Sequence, residues 1–434
     1  MTAIRTNLVK LVVVPAAVFA CTLAVLLALN HSHAPDPASL RLGADSGPSL
    51  GSAKDPVAAM QDAIRADPAR AAAWAGLGQA YLQRARETSD PAFYVRAQRS
   101  FAAARRRDGR NVSALVGAAT LANLRHDFSG ALQLGLEARR VAPALVLPLT
   151  VVADAQIELG RYGEAEHTIQ RLIDRKPALP AYARASYYRE LTGDLGGAVE
   201  AMRLAASAGG APQSRAYVQA LVGDLELQRG RTGAARVAYR DALGSVGSYP
   251  AAEVGLARLD SAAGRPGPAA ARLRRVTERL PQTGYLILLA ETELAAGHRR
   301  QGERALRLVR AQQRLLRAAG AVPDAELVNF DARHGNSAAA VQLGRRVWRS
   351  APSVRSADAL GWALTRAGRP VEGFAWARRA MRMGSHDAAF RLHAGLAAAG
   401  AGRRGLAGRY LRQALAARAA LSPLQVRDAR RALR

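Results

Sequence analysis

The chain has 434 residues, 49% of them hydrophobic but only 5% aromatic, so alanine and leucine carry the apolar content and an all-α fold is expected. Its 62 basic residues against 34 acidic ones leave a formal charge of +28, and Lys10, Lys54 and Lys176 are the only lysines; this arginine excess predicts non-specific attraction to anionic lipid, wall polymer or nucleic acid. The single cysteine, Cys21, excludes an internal disulfide and a thiolate zinc cluster.

Residues 1–10 carry Arg5 and Lys10, and no charge follows from Leu11 to Leu29. A stretch of this length predicts a transmembrane signal anchor over residues 11–30. The basic residues before it place the N-terminus in the cytoplasm and the remainder of the chain extracytoplasmic, a single-pass protein of the cell membrane. A secreted form, or a lipoprotein modified at Cys21 after Val18-Phe19-Ala20, is the alternative. Residues 31–54 are rich in Pro, Gly and Ser and predict a flexible linker.

From residue 55 onward the chain repeats itself. Trp74, Leu77, Gly78 and Tyr81 lie on one helical face, and Ala97, Phe101 and Ala104 provide alternating small and large residues on the next helix. Small residues recur at Ala131, Ala165, Ala198, Ala235, Ala269, Gly302, Ala340, Gly373 and Ala407, close to a 34-residue period. Five residues before most of them stands a glycine: Gly160, Gly193, Gly230, Gly264, Gly297, Gly335, Gly368 and Gly402. A left-handed residue is needed to end each first helix, and glycine adopts it without strain.

Trp74-x-x-Leu77-Gly78-x-x-Tyr81 and Asp358-Ala-Leu-Gly-Trp-Ala-Leu364 resemble the tetratricopeptide repeat (TPR) family, and the resemblance covers residues 55–434. It implies an all-α, right-handed superhelical solenoid of about ten helix-turn-helix repeats, of membrane-anchored bacterial type. Residues 56–66 are expected to form a half-repeat cap. About seven extra residues near Glu87 to Phe93 predict a longer first loop, and Ser422-Pro423 opens a final capping helix.

The resemblance further implies that first helices line a concave groove and second helices the convex face. Arginines crowd the second helices, for example Arg105 to Arg107 and Arg345, Arg346 and Arg349. The first helices instead present Asp154, Glu158, Tyr187, Glu190, Asp224 and Glu291, with Arg258 among them. These predict a mildly acidic groove that grips a basic or apolar protein segment. Reversing Asp154, Glu158, Glu190 and Asp224 to lysine is expected to abolish partner retention without unfolding. The inner positions Ala75, Gln79, Val116 and Thr120 lack the basic and amide residues with which some TPR modules clamp acidic tails.

No His-Glu-x-x-His helix, phosphate loop or Gly-x-Ser-x-Gly elbow is present. The expectation is therefore a non-catalytic, membrane-tethered scaffold without cofactor or metal, binding a protein or peptide of unknown identity. A basic repeat protein binding nucleic acid or an anionic polymer is the alternative, weakened by the scarcity of stacking aromatics.

Overall fold

The computed structural model describes residues 55–434 apart from Gly209. A first helix, α1 (Pro56–Ala66), precedes ten helical hairpins, and α22 (Pro423–Ala432) follows them. The hairpins are α2 (Ala71–Thr88) with α3 (Ala92–Arg107), α4 (Val112–Leu124) with α5 (Phe128–Val141), and α6 (Leu147–Glu158) with α7 (Tyr162–Arg175). Next come α8 (Leu179–Leu191) with α9 (Leu195–Ser207), α10 (Pro212–Gln228) with α11 (Thr232–Val246), and α12 (Pro250–Ala262) with α13 (Pro266–Arg279). The last four are α14 (Thr283–Ala295) with α15 (Arg299–Ala318), α16 (Ala325–His334) with α17 (Ser337–Ser350), α18 (Val354–Arg366) with α19 (Pro370–Ala380), and α20 (Ala388–Gly400) with α21 (Arg404–Ala416).

The periodic small residues sit where the helices of a pair touch. Ala97, Ala131, Ala165, Ala198, Ala235, Ala269 and Ala340 are fully buried. Four residues after Ala97, the ring of Phe101 fills a slot between Gly78 of α2 and Gly117 of α4; a β-carbon at either glycine would overlap it. Tyr239, four residues after Ala235, occupies the same slot between Gly223 and Gly255. Helix starts are capped by side chains: Asp127, Asp194 and Asn336 accept from backbone amides three residues on, and Ser422 forms a capping box with Gln425.

Gly160, Gly193, Gly230, Gly264, Gly297, Gly368 and Gly402 are left-handed as expected, whereas Gly335 is not. In the first two hairpins Ser89 and His126 take that conformation instead. The longer first loop also differs from expectation. The extra residues extend α2 as helix to Thr88, leaving only residues 89–91 as the link.

The expected single-pass membrane placement requires correction. Among the described residues no helix is long and apolar enough to cross a membrane, so a single-pass membrane protein is not supported. The segment 11–30 on which that expectation rested, with residues 1–10, Cys21 and the linker 31–54, lies outside the described residues.

The array coils until its second turn rests on its first. Val322 N donates to Arg125 O at 2.7 Å, Gln312 Nε2 to Ser89 O at 3.0 Å, and Val354 N to the Tyr162 hydroxyl at 2.7 Å. Gly160, Gly193 and Gly230 abut the carbonyls of Pro352, Gly384 and Ala416. Apart from Gln312 and Ser89, which are 223 residues apart, these separations are about 190 residues, between five and six 34-residue repeats per superhelical turn. The final helix joins the same seam: Ser422 donates to Glu291, and Arg333 Nη1 meets Asp428 at 2.7 Å.

Candidate functional site: an acidic cavity between the turns

Because the turns close on each other, the concave surface surrounds a partly open cavity of about 500 Å³. Its wall is assembled from first helices of many hairpins, the 89–91 link, the segment before α16, and the residues that lead into α20 and α22. Seven carboxylates, four arginines, three histidines and five tyrosines line it. With neutral histidines that is a formal excess of three negative charges, inside a molecule of net charge +28.

Four of the residues expected to face the groove, Tyr187, Glu190, Asp224 and Glu291, line this cavity. Asp154 and Glu158 do not. Asp154 accepts from Arg184 Nη2 at 2.6 Å, and Arg184 Nε donates to Thr150 O at 3.0 Å. Burial raises the Asp154 carboxyl above its ordinary range despite that partner. Glu158 accepts from the Tyr187 hydroxyl at 2.6 Å. Both pairings bridge neighbouring hairpins, so reversing Asp154 and Glu158 to lysine would set like charges against Arg184 and remove the acceptor of the Tyr187 hydroxyl. The fourfold reversal expected to spare the fold is thus a destabilising variant.

Glu190 is 1% exposed, and neither of its carboxylate oxygens has a hydrogen-bond partner. Burial first, then Asp387 and Asp224, push it well above the usual carboxylate range, opposed by Arg355. Asp224 accepts from the Tyr239 hydroxyl at 2.6 Å, and burial raises it too, against that bond and Arg258. Asp387, the N-cap of α20, accepts from Phe390 N at 2.9 Å and is likewise raised by burial. Glu326 is pushed up to about 7 by burial and by Asp324.

Two other acids of the wall have close partners. Burial alone would raise Glu291, but the hydrogen bond from His334 at 2.7 Å and the charge of Arg333 hold it below its ordinary value. Asp358 meets His393 Nδ1 at 2.9 Å, and that imidazole stacks on Trp362 with ring centroids 4.5 Å apart. Ser422 donates to Glu291 rather than to His334, so these three groups do not form a nucleophile–base relay.

Asp387, Glu326, Asp358 and His393 were missed by sequence reasoning because they come from the distant turn. A signal existed nearer to hand. Asp154 and Arg184 are 30 residues apart and Glu158 and Tyr187 are 29, so they lie on matching faces of successive first helices. Outside, the arginine-rich faces are as expected: Arg106, Arg140, Arg274, Arg345 and Arg378 are exposed on second helices.

No family model matches the chain, and no curated protein matches it. Among solved structures, the human IFIT1 dimer with PPP-AAAA is 16% identical, with 73% of each chain covered and a TM-score of 0.45. The human IFIT1 dimer with m7Gppp-AAAA is 15% identical over 76% of each chain, also at 0.45. YrrB, described as a TPR protein with an unusual peptide-binding site, is 15% identical, covering 45% of this chain and 96% of that one, with a TM-score of 0.29. The chain's own ten stacked hairpins, with their 34-residue small-residue period, make it a helical-repeat solenoid consistent with a TPR-type protein.

Proposed function

We propose that this chain is a non-catalytic interaction scaffold whose concave cavity holds a segment of a protein or peptide partner. The observation that carries the reading is the cavity itself. A stack of hairpins needs buried apolar contacts only between neighbours. Here the inner faces instead surround about 500 Å³ of space whose wall holds tyrosines and several polar atoms with no hydrogen-bond partner, among them atoms of Glu190, Asn329 and Arg333. Buried polar groups are almost always satisfied, so such a wall suits an occupant that supplies the missing bonds. Its size falls within the range of small ligand sites and accommodates a few side chains rather than a folded domain.

The test is selection of peptides from a displayed random library against the full chain, followed by calorimetry on the selected sequences. Ala325 lies half-buried in the cavity wall. Filling the space with Ala325→Trp is expected to weaken selected peptides by roughly tenfold or more, because overlap forfeits the buried contacts. Helical content should be unchanged. Equal binding to a folded Ala325→Trp chain would place the peptide elsewhere and overturn the cavity reading.

A further inference from the structure

We propose that Glu190, Asp224 and Asp387 form a binding site for an organic cation, a guanidinium or primary ammonium group, between the rings of Tyr187 and Tyr217. The group would be either the head of an arginine or lysine side chain of the partner segment or a free polyamine. The first source rests on the scaffold reading; the second does not.

The three carboxylates come from both turns of the coil. Glu190 lies on α8 and Asp224 on α10, while Asp387 enters from the N-terminus of α20. Glu190 is the decisive residue, because an ionisable side chain 1% exposed with both oxygens unbonded is costly to leave as it stands. A cation offering several N–H donors removes that cost. The cations facing Glu190 are partly committed elsewhere, although Arg355 keeps a buried Nη1 without a hydrogen-bond partner. Arg355 lies against Tyr187 and Glu158, and Arg258 donates to Ala420 O at 2.9 Å. Asp358 is held by His393. With seven carboxylates against four arginines, the wall still has acid to spare.

The shape argues for an organic cation over a metal ion. Among the described residues no group of three or more His, Cys, Asp or Glu side chains could hold a metal ion. Carboxylates spread around a space suit the separated donors of a guanidinium or the several ammonium groups of a polyamine. Tyr187 precedes Glu190 by one helical turn and Tyr217 precedes Asp224 by two, so each ring shares a helix face with its acid. Aromatic faces beside the acids add cation–π attraction in a desolvated site. Arg86 is the contrary feature. Burial lowers it to about 10, so it stays charged, and its Nε and Nη2 have no hydrogen-bond partner. An anion would be drawn there.

The experiment is titration of the full chain with spermidine, N-acetyl-arginine amide and inorganic phosphate, followed by calorimetry and by tryptophan fluorescence, since Trp362 lines the cavity. Saturable binding of a cation probe is expected, weakened at least about tenfold by Glu190→Gln and by Asp387→Asn, each of which deletes one charge-assisted bond. Heats measured in two buffers of different ionisation enthalpy should show proton release on binding, which the wild-type chain reports even where a variant fails to fold. Binding of phosphate but of no cation, no saturable binding at all, or cation affinity indifferent to Glu190→Gln in a folded chain overturns the proposal. If selected peptides bind but tolerate citrulline or norleucine at every basic position, the cation site fails while the scaffold stands. If spermidine binds and no peptide does, the cation site stands and the scaffold reading fails.

Discussion

Glu326 shows how a cavity wall changes the chemistry of one side chain. Its carboxyl titrates near 7 because burial and the neighbouring Asp324 both oppose ionisation. A carboxyl raised above its unfolded value is protonated in the folded state while still ionising in the unfolded chain. The folded state then binds more protons, and stability falls as pH rises. The contribution is fully present below about pH 4.5 and is lost by about pH 7, the interval between the two values. Thermal melts of the wild-type chain and Glu326→Gln should therefore diverge between about pH 4.5 and pH 7, the wild type losing about 1–3 kcal/mol relative to the variant. Parallel melting curves would show that the site is better solvated than its surroundings suggest. The same residue illustrates why the acids of the wall were only partly legible. Spacing along the first helices pointed to Glu190, Asp224 and Glu291, but an acid's burial depends on what the other turn brings beside it.

At the level of the helical pair, the repeat depends on a large side chain seated between two glycines. Tyr239 is fully buried, reaches Asp224 with its hydroxyl, and lies between Gly223 and Gly255. Adding one methyl group at either glycine forces the ring aside in a packed interior, at about 1–3 kcal/mol. Gly223→Ala and Gly255→Ala should each lower the melting temperature, and either should be partly rescued by Tyr239→Leu; without rescue, the slot is not what the glycines provide. Gly233, exposed with no atom near its missing β-carbon, is the control, and Gly233→Ala should be neutral or stabilising. This level was the most legible in sequence. Small residues and turn glycines in fixed phase reveal hairpins because every copy must solve the same close-packing problem. The exceptions, Ser89 and His126 at left-handed turns and the helical extension of α2, occur where the chain contacts its other turn.

For the molecule as a whole, the closed coil was not legible. Each hairpin turns the coil by only a fraction of a revolution, and no single repeat records whether six of them bring the chain back against its first turn. The seam makes a separable prediction. Gly193 and Gly402 are both left-handed, but only Gly193 faces a backbone carbonyl of the next turn, that of Gly384. Gly402→Ala should cost about 1–2 kcal/mol of backbone strain alone. Gly193→Ala adds a clash at the seam, so it should cost more and should increase hydrogen exchange at the Val322 and Val354 amides that bridge the turns. Equal effects of the two substitutions would mean that the turns do not bear on each other in solution.

Turns that touch also give the coil the mechanics of a closed spring. Asp387 stands on one turn and Glu190 on the other, beside the contact of Gly193 with Gly384. Any tension that lengthens the coil along its axis must part that contact and draw the two carboxylates away from each other. Occupancy and extension are then linked reciprocally: whatever fills the cavity stiffens the spring, and a pull on its ends loosens the grip.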